Sequence, residues 1–375
     1  MSKQLSHINQ LAFFALIRAG LWEQEVQLLP FGDIDFADVQ RLSEEQSVLG
    51  LVAAGSEHVT DKKIPKKDVL QIIGQTLQLE QRNQAMNYFI GVIIDQMRTA
   101  GIYTILVKGQ GVAQCYERPL WRSCGDVDLL LSKDNYLKAL DFLTPLAQSV
   151  DEENKYNQHI GLTIDPWVVE LHGTLRSSLW KRIDDVVDEA QYSVFYGGQV
   201  RLWMNGNTQV FLPGVNEDVI FLFSHILQHF FKEGIGLRQI CDWCRFLWTY
   251  NEKLDLSLLE KRLKKMGAMS EWKAFAALAV EHLGMEKGKV PFYSPSRRWS
   301  RKASKICSFI IETGNFGHNR DYSYYQKHSF IVYKAISLWR HIKDTFRYLT
   351  IFPWDAQKVL WSKLVLGVKV ALKEK

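Results

Sequence analysis

The stretch RSCGDVDLLLS, residues 122–132, constrains this chain more than any other, because it heads an apolar, strand-like run with two acids one residue apart. Side chains at i and i+2 of a strand point the same way, so Asp126 and Asp128 project together while Val127 and Leu129 face the opposite side. Two carboxylates roughly 6 Å apart repel by about 3 kcal/mol at an effective dielectric near 20. Either the pair sits at a solvated strand entry where water screens it, or a cation is held there. The surrounding residues decide what kind of fold offers such a strand.

Upstream, the β-branched and aromatic run Ile102 to Val107 reads as a strand ending in Lys108 and Gly109, and "GVAQCYERPLW" makes a short helix before Pro119 stops it. Downstream, "NYLKALDFLTPL" reads as a helix, "PWVVELHG" as a further strand, and "QVRLWMNGNTQVFLP" as a hairpin turning at Asn205-Gly206. Before this core, helical periodicity covers Ile8 to Trp22, Asp38 to Ala54 and Val69 to Ala100, the last closed by Gly101. After Pro213 come four helical segments, then the linker-like "EKGKVPFYSPSRRWSRK" and a last helical section with the loop "TGNFGHNR". The expected fold class is α+β, a mixed sheet core flanked by N-terminal and C-terminal helices. The expected organisation is an N-terminal helical region at 1–100, the α+β core at 101–213, a helical domain at 214–290 and a C-terminal helical extension at 291–375.

At 375 residues with 47% hydrophobic content the chain can bury real cores, and a net charge of +5 suits small anionic substrates without demanding nucleic acid. Five scattered cysteines do not read as a secreted disulfide framework, so a reducing cytoplasm is expected. The apolar stretch Leu11 to Ile17 is short and broken by Arg18, which reads as an amphipathic helix and not a signal peptide, and no run approaches a membrane span.

A strand, a glycine turn, a short helix and then a strand with two acids on one face is the layout nucleotidyl transfer needs. Glycine lets backbone amides approach a phosphate without a Cβ in the way, and paired carboxylates suit Mg²⁺. Glu170, set among Val168, Val169 and Leu171, is an expensive carboxylate unless it is paired or metal-bound, and His172 shares its face. A salt bridge from Glu170 to a neighbouring arginine is the plain alternative. Lys108 and Arg122 either neutralise phosphate, Arg122 through its planar fork, or serve as ion-pair partners of Asp126.

These residues resemble the nucleotidyltransferase fold superfamily, and "ILVKGQGVAQCYERPLWRSCGDVDLLL" is similar to its uncharacterised nucleotidyltransferase-like family, in which K-G, a Tyr, an Arg and the paired acids recur. The resemblance extends through "VVELHG" and the helices "LFSHILQH" and "LRQICDW". It departs from the polymerase-type pattern in having Lys108-Gly109-Gln110 in place of Gly-Ser, which leaves the usual phosphate-binding serine role unfilled. It implies a nucleotidyltransferase-like sheet, catalytic and metal-ligating roles for Asp126, Asp128 and Glu170, and Gly109 as the phosphate-turn glycine. Lys108, Gly109, Arg122 and His172 are the candidate nucleotide-binding residues. The implied reaction moves a nucleoside monophosphate from an NTP to a hydroxyl of an unidentified acceptor, with Mg²⁺ or Mn²⁺ as cofactor. The rival is a catalytically inactive nucleotide-binding regulatory or scaffold protein. A nucleic-acid-modifying transferase would want a strongly basic groove, which +5 spread over the chain does not supply. Nothing in the pattern speaks to oligomeric state.

Three further features have plain readings beside functional ones. Cys241 and Cys244 have metal-like spacing without a second pair, and one turn apart on an apolar helix they read as core. His225 and His229 share a helix face without the glutamate of zinc proteases; His229, Arg238 and Asp242 are candidates to line the site. The "GNFGH" stretch reads most simply as a turn.

Overall fold

A computed structural model describes residues 3–232, 234–315, 343 and 345–358, with side chains from residue 7 onward. Helices α1 (Lys3–Trp22), α2 (Phe36–Glu45), α3 (Leu49–Glu57) and α4 (Lys66–Thr99) precede the first strand. There follow β1 (Ile105–Val107), α5 (Gly109–Ala113), β2 (Asp126–Leu130), α6 (Lys133–Leu143), β3 (Ser149–Val150), β4 (His159–Ile164) and β5 (Trp167–His172). Then come α7 (Lys181–Tyr196), β6 (Val200–Asn205), β7 (Thr208–Pro213), α8 (Val215–Lys232), α9 (Leu237–Tyr250), α10 (Leu256–Met266), α11 (Met269–Glu281) and α12 (Arg297–Thr313).

The sheet runs β1-β2-β5-β4-β3, with β2 and β5 parallel and the other neighbours antiparallel. This is the mixed sheet expected of an α+β chain. Strand alternation gives it two unlike faces. Val127, Leu129, Val169, Leu171, Ile160 and Leu162 point into a core shared with Ile90, Ile94 and Met97 of α4 and Tyr136, Ala139 and Leu143 of α6. The residues between them, Asp126, Asp128, Glu170, His172 and His159, fall on the opposite face. A slip of one residue in β2 would bury both aspartates in that core, so the register is strongly specified.

Local signals explain most element ends. The Gly101 amide returns to the Arg98 carbonyl and the Ile102 amide to Met97, with Gly101 at φ 73°, so the chain closes α4 in a Schellman turn. That turn takes up Ile102, and the strand expected from Ile102 begins only at Ile105. The Asp38 to Ala54 pattern divides into α2 and α3 around Ser47, at φ 55°. The break frees the buried Gln46 side chain, which accepts from the Leu237 amide at the head of α9 and donates to the Ile310 carbonyl of α12. The hairpin loop is Gly206-Asn207, one residue later than expected, because Asn205 still pairs with Thr208. Strands β3 and β4 and helix α7 had no sequence expectation, and α12 starts inside the linker-like stretch, capped by Ser296. Of the glycine loop, Gly314 and Asn315 are described. Asn315 accepts from Gln239 and donates to Ser47, while residues 316–320 of the loop, and most of the section expected to be helical after them (321–342, 344 and 359–375), lie outside the described residues. Among the described residues no helix is long and apolar enough to cross a membrane.

Candidate active site

The turn from β1 into α5 sets the first wall. Lys108 adopts φ 55° and Gly109 φ 37°, a left-handed pair in which a non-glycine residue is strained. A Cβ on Gly109 would lie 3.3 Å from Cys124 Sγ and 3.6 Å from the Asp126 carbonyl, so the turn runs against the head of β2. From this position the Lys108 ammonium donates to Asp128 Oδ1 at 2.9 Å.

Parallel pairing sets Asp128 beside Glu170, and antiparallel pairing sets His159 opposite His172. The result is a compact charged cluster. His172 Nε2 lies 2.8 Å from Asp128 Oδ1 and 3.4 Å from Glu170 Oε2, and His159 Nε2 lies 3.1 Å from the same Glu170 oxygen. An ionised carboxylate only accepts hydrogen bonds, so each contact places a proton on the histidine Nε2. Burial alone would raise Asp128, which is 3% exposed, but the Lys108 ammonium and the His172 hydrogen bond hold it below the usual carboxylate range. Glu170 is also held well below that range, against burial, by hydrogen bonds from His159 and His172. His172 is raised in return: burial and Lys108 oppose its charge, and the two carboxylates outweigh them. Lys108 is likewise raised by Asp128, Glu170 and Asp126 despite its burial.

Asp126 differs. Its carboxylate has no hydrogen-bond or ion-pair partner among the described residues, and it is pushed up to about 6 by the charge of Asp128, by burial and by Glu170.

Arg122 lines the same cavity from the loop before β2. Its Nε and Nη2 donate to the two oxygens of Asp242 on α9, at 3.0 and 2.6 Å, and the Tyr116 hydroxyl donates to Asp242 at 2.8 Å. The fork that sequence reasoning offered to phosphate is thus engaged by Asp242. Asn83 of α4 is fully buried and donates to the Arg122 and Leu120 carbonyls, pinning the loop.

The far wall comes from α8 and α9. His225, Gln228, His229 and Lys232 line the cavity on α8, and Arg238, Gln239 and Asp242 on α9. The His225 and His229 rings lie 4.3 Å apart, and burial, His229 and Lys108 hold His225 well below its ordinary value, so that it is neutral. Arg238 donates to the Ser123 carbonyl at 2.9 Å and Lys232 to the Ser177 carbonyl at 2.7 Å, which ties both helices to the loops beside the sheet. Cys241 and Cys244 are fully buried on the other side of α9, with thiols raised by burial.

The walls enclose about 500 Å³, a volume in the range of small-molecule sites. Sequence reasoning missed His159, Asn154, Asn157, Thr174 and Arg176 on its rim. The alternation in "HIGLTI" and the Asp165-Pro166 turn after it were the signals for a strand that would carry His159 opposite His172.

A family model described as an uncharacterised nucleotidyltransferase matches residues 32–284. No curated protein and no solved structure matches the chain.

Proposed function

This chain belongs to the uncharacterised nucleotidyltransferase family, and from that premise we propose that it transfers a nucleoside monophosphate from an NTP to a hydroxyl of an acceptor, using Mg²⁺ or Mn²⁺. The observation that carries the reading is the acidic trio on one cavity face: Asp126 and Asp128 two residues apart on β2, and Glu170 paired with Asp128 on β5, with Asp126 raised to about 6 by the charge of its neighbours. Such a trio of oxygen donors on one cavity face fits a hard divalent ion. When bound by Asp126, Asp128 and Glu170, that ion would supply charge stabilisation at the reacting phosphate and lower the pKa of the attacking hydroxyl.

The chain's own groups then have distinct tasks. The acceptor oxygen attacks the α-phosphorus, the bond from that phosphorus to the bridging α–β oxygen breaks, and pyrophosphate leaves. Glu170, held ionised by its two histidines, accepts a hydrogen bond from the acceptor hydroxyl, orients its lone pair toward phosphorus, and takes the proton as the O–P bond forms before passing it to water. Lys108 and the cations of the far wall, Lys232 and Arg238, face the polyphosphate and offset its charge. Arg122, locked to Asp242, braces the loop that delivers Asp126.

Glu170→Gln keeps the shape and removes the charge. In a pyrophosphate-release assay with mixed NTPs and a metabolite extract, turnover should fall by about 100-fold or more while the fold is retained. Release that survives unchanged in the variant removes Glu170 from the mechanism. Nucleotide binding without release across sugar, RNA and protein acceptors moves the assignment to a regulatory binder.

A further inference from the structure

We propose that His159, Glu170 and His172 form a nitrogen-containing cation site of their own, taking a first-row transition-metal dication beside the oxygen-only ligands Asp126 and Asp128. The site deepens the transferase reading and rests on it for the use of the second ion, not for the binding itself.

Geometry carries the proposal. The ligand atoms of the three residues all lie within 4.8 Å of one another. Two of the separations, 3.1 Å from His159 Nε2 to Glu170 Oε2 and 3.4 Å from His172 Nε2 to the same oxygen, match polyhedron edges, and a dication entering there replaces the Nε2 protons that bridge them. Donors at roughly 2.1 Å from a shared ion lie about 3.0 Å apart in an octahedral arrangement and about 3.4 Å apart in a tetrahedral one. Their source is strand register: His159 pairs across β4 and β5 with His172, and Glu170 stands two residues before it on the same face. The two rings lie 4.7 Å apart, tilted by 32°, with Nε2 of each turned to the one carboxylate oxygen.

The donor set also selects the ion. Imidazole nitrogen suits Zn²⁺, Fe²⁺ or Ni²⁺, with Mn²⁺ the weakest-binding of the first-row dications and therefore a stringent paramagnetic probe, whereas Mg²⁺ keeps to oxygen ligands. Side-chain exposures of 36% for His159 and 27% for Glu170 leave the cavity side of such an ion open to substrate or water. His172 is 2.8 Å from Asp128, so the two sites share a wall, as in centres that clamp attacking and leaving oxygens between two ions.

The probe is Mn²⁺ alone, added to EDTA-stripped protein without nucleotide and read by electron spin-echo modulation, which detects coordinated imidazole nitrogen. Wild type should show nitrogen modulation and bind Mn²⁺ at least tenfold more tightly than Mg²⁺. His159→Gln, altering a half-exposed ring, should lose part of the modulation and at least tenfold in Mn²⁺ affinity, and Asp126→Asn should keep the modulation. Absence of nitrogen modulation at saturating Mn²⁺ in wild type, or modulation and affinity untouched by His159→Gln, overturns the site and leaves the trio as a hydrogen-bonded brace between strands. Nitrogen modulation without pyrophosphate release for any acceptor would sink the transferase reading while leaving the metal site standing.

Discussion

Asp126 bears a cost in the metal-free protein that its neighbours escape. Asp128 has Lys108 and His172 in contact, and Glu170 has two histidines, while at Asp126 the charge of Asp128 and Glu170, together with burial, outweighs the more distant Lys108 and Arg238. Its folded pKa of about 6 lies above the ordinary 3.8, so the folded protein keeps a proton that the unfolded chain gives up. Stability from this group therefore falls as pH rises through that window, and the full penalty is present above it. In EDTA, Asp126→Asn should be more stable than wild type by ~1–2 kcal/mol at pH 7.5, given the partial exposure of the site, with the gap closing toward pH 4. Urea denaturation at several pH values measures it, and a gap independent of pH would mean that charge repulsion is not the cause. The same substitution removes the ligand that most needs a cation, so stability and function pull in opposite directions at this residue.

At the scale of elements, α1 and α3 cross with backbone against backbone. A Cβ on Gly20 would come 2.0 Å from the Leu51 carbonyl oxygen, and one on Gly55 would come 2.0 Å from that of Leu16. Near the other end of α3, a Cβ on Gly50 would meet the Trp121 carbonyl at 2.0 Å, so this helix also lies directly under the loop that leads to Asp126. Alanine in place of a helical glycine ordinarily gains up to about 1 kcal/mol. Here Gly55→Ala has to push two helices apart and should instead cost about 1–3 kcal/mol, the scale of overpacking. Thermal melting decides the sign, and a raised melting temperature would mean that the crossing is looser than described.

For the whole molecule, one apolar core draws on residues from Ala12 to Ala356, beyond both ends of the family match at 32–284. Phe230 on α8 packs against Phe309 of α12 at 5.4 Å and Tyr348 at 5.3 Å between ring centroids. Helix α8 is also the wall carrying His225, His229 and Lys232, so the C-terminal part supports the cavity from behind. A chain ending at residue 290 should expose Phe230 and Phe231 and elute as aggregate on size exclusion, without a cooperative melt. A soluble, cooperatively melting product with unchanged nucleotide binding would make residues 291–375 an independent appendage.

Short-range physics was enough to read much of this from sequence. Alternation along β2 places Asp126 and Asp128 on one face whatever surrounds them, the glycine after Lys108 marks the turn, and Gly101 closes α4 because a left-handed residue is needed there. The same alternation predicts that Glu170 and His172 face together. What no local pattern carries is who meets whom across the chain. Arg122 finds Asp242 after 120 residues and His172 finds Asp128 after 44, and both pairings depend on how helices and strands are stacked, not on their own spacing. Strand β4 is only partly buried, and its role appears only once it pairs with β5 and brings His159 to Glu170. The sequence by itself determined the kind of strand face this protein presents. Tertiary packing decided which carboxylates are already matched by cations, because that match is made by groups the chain brings together only on folding.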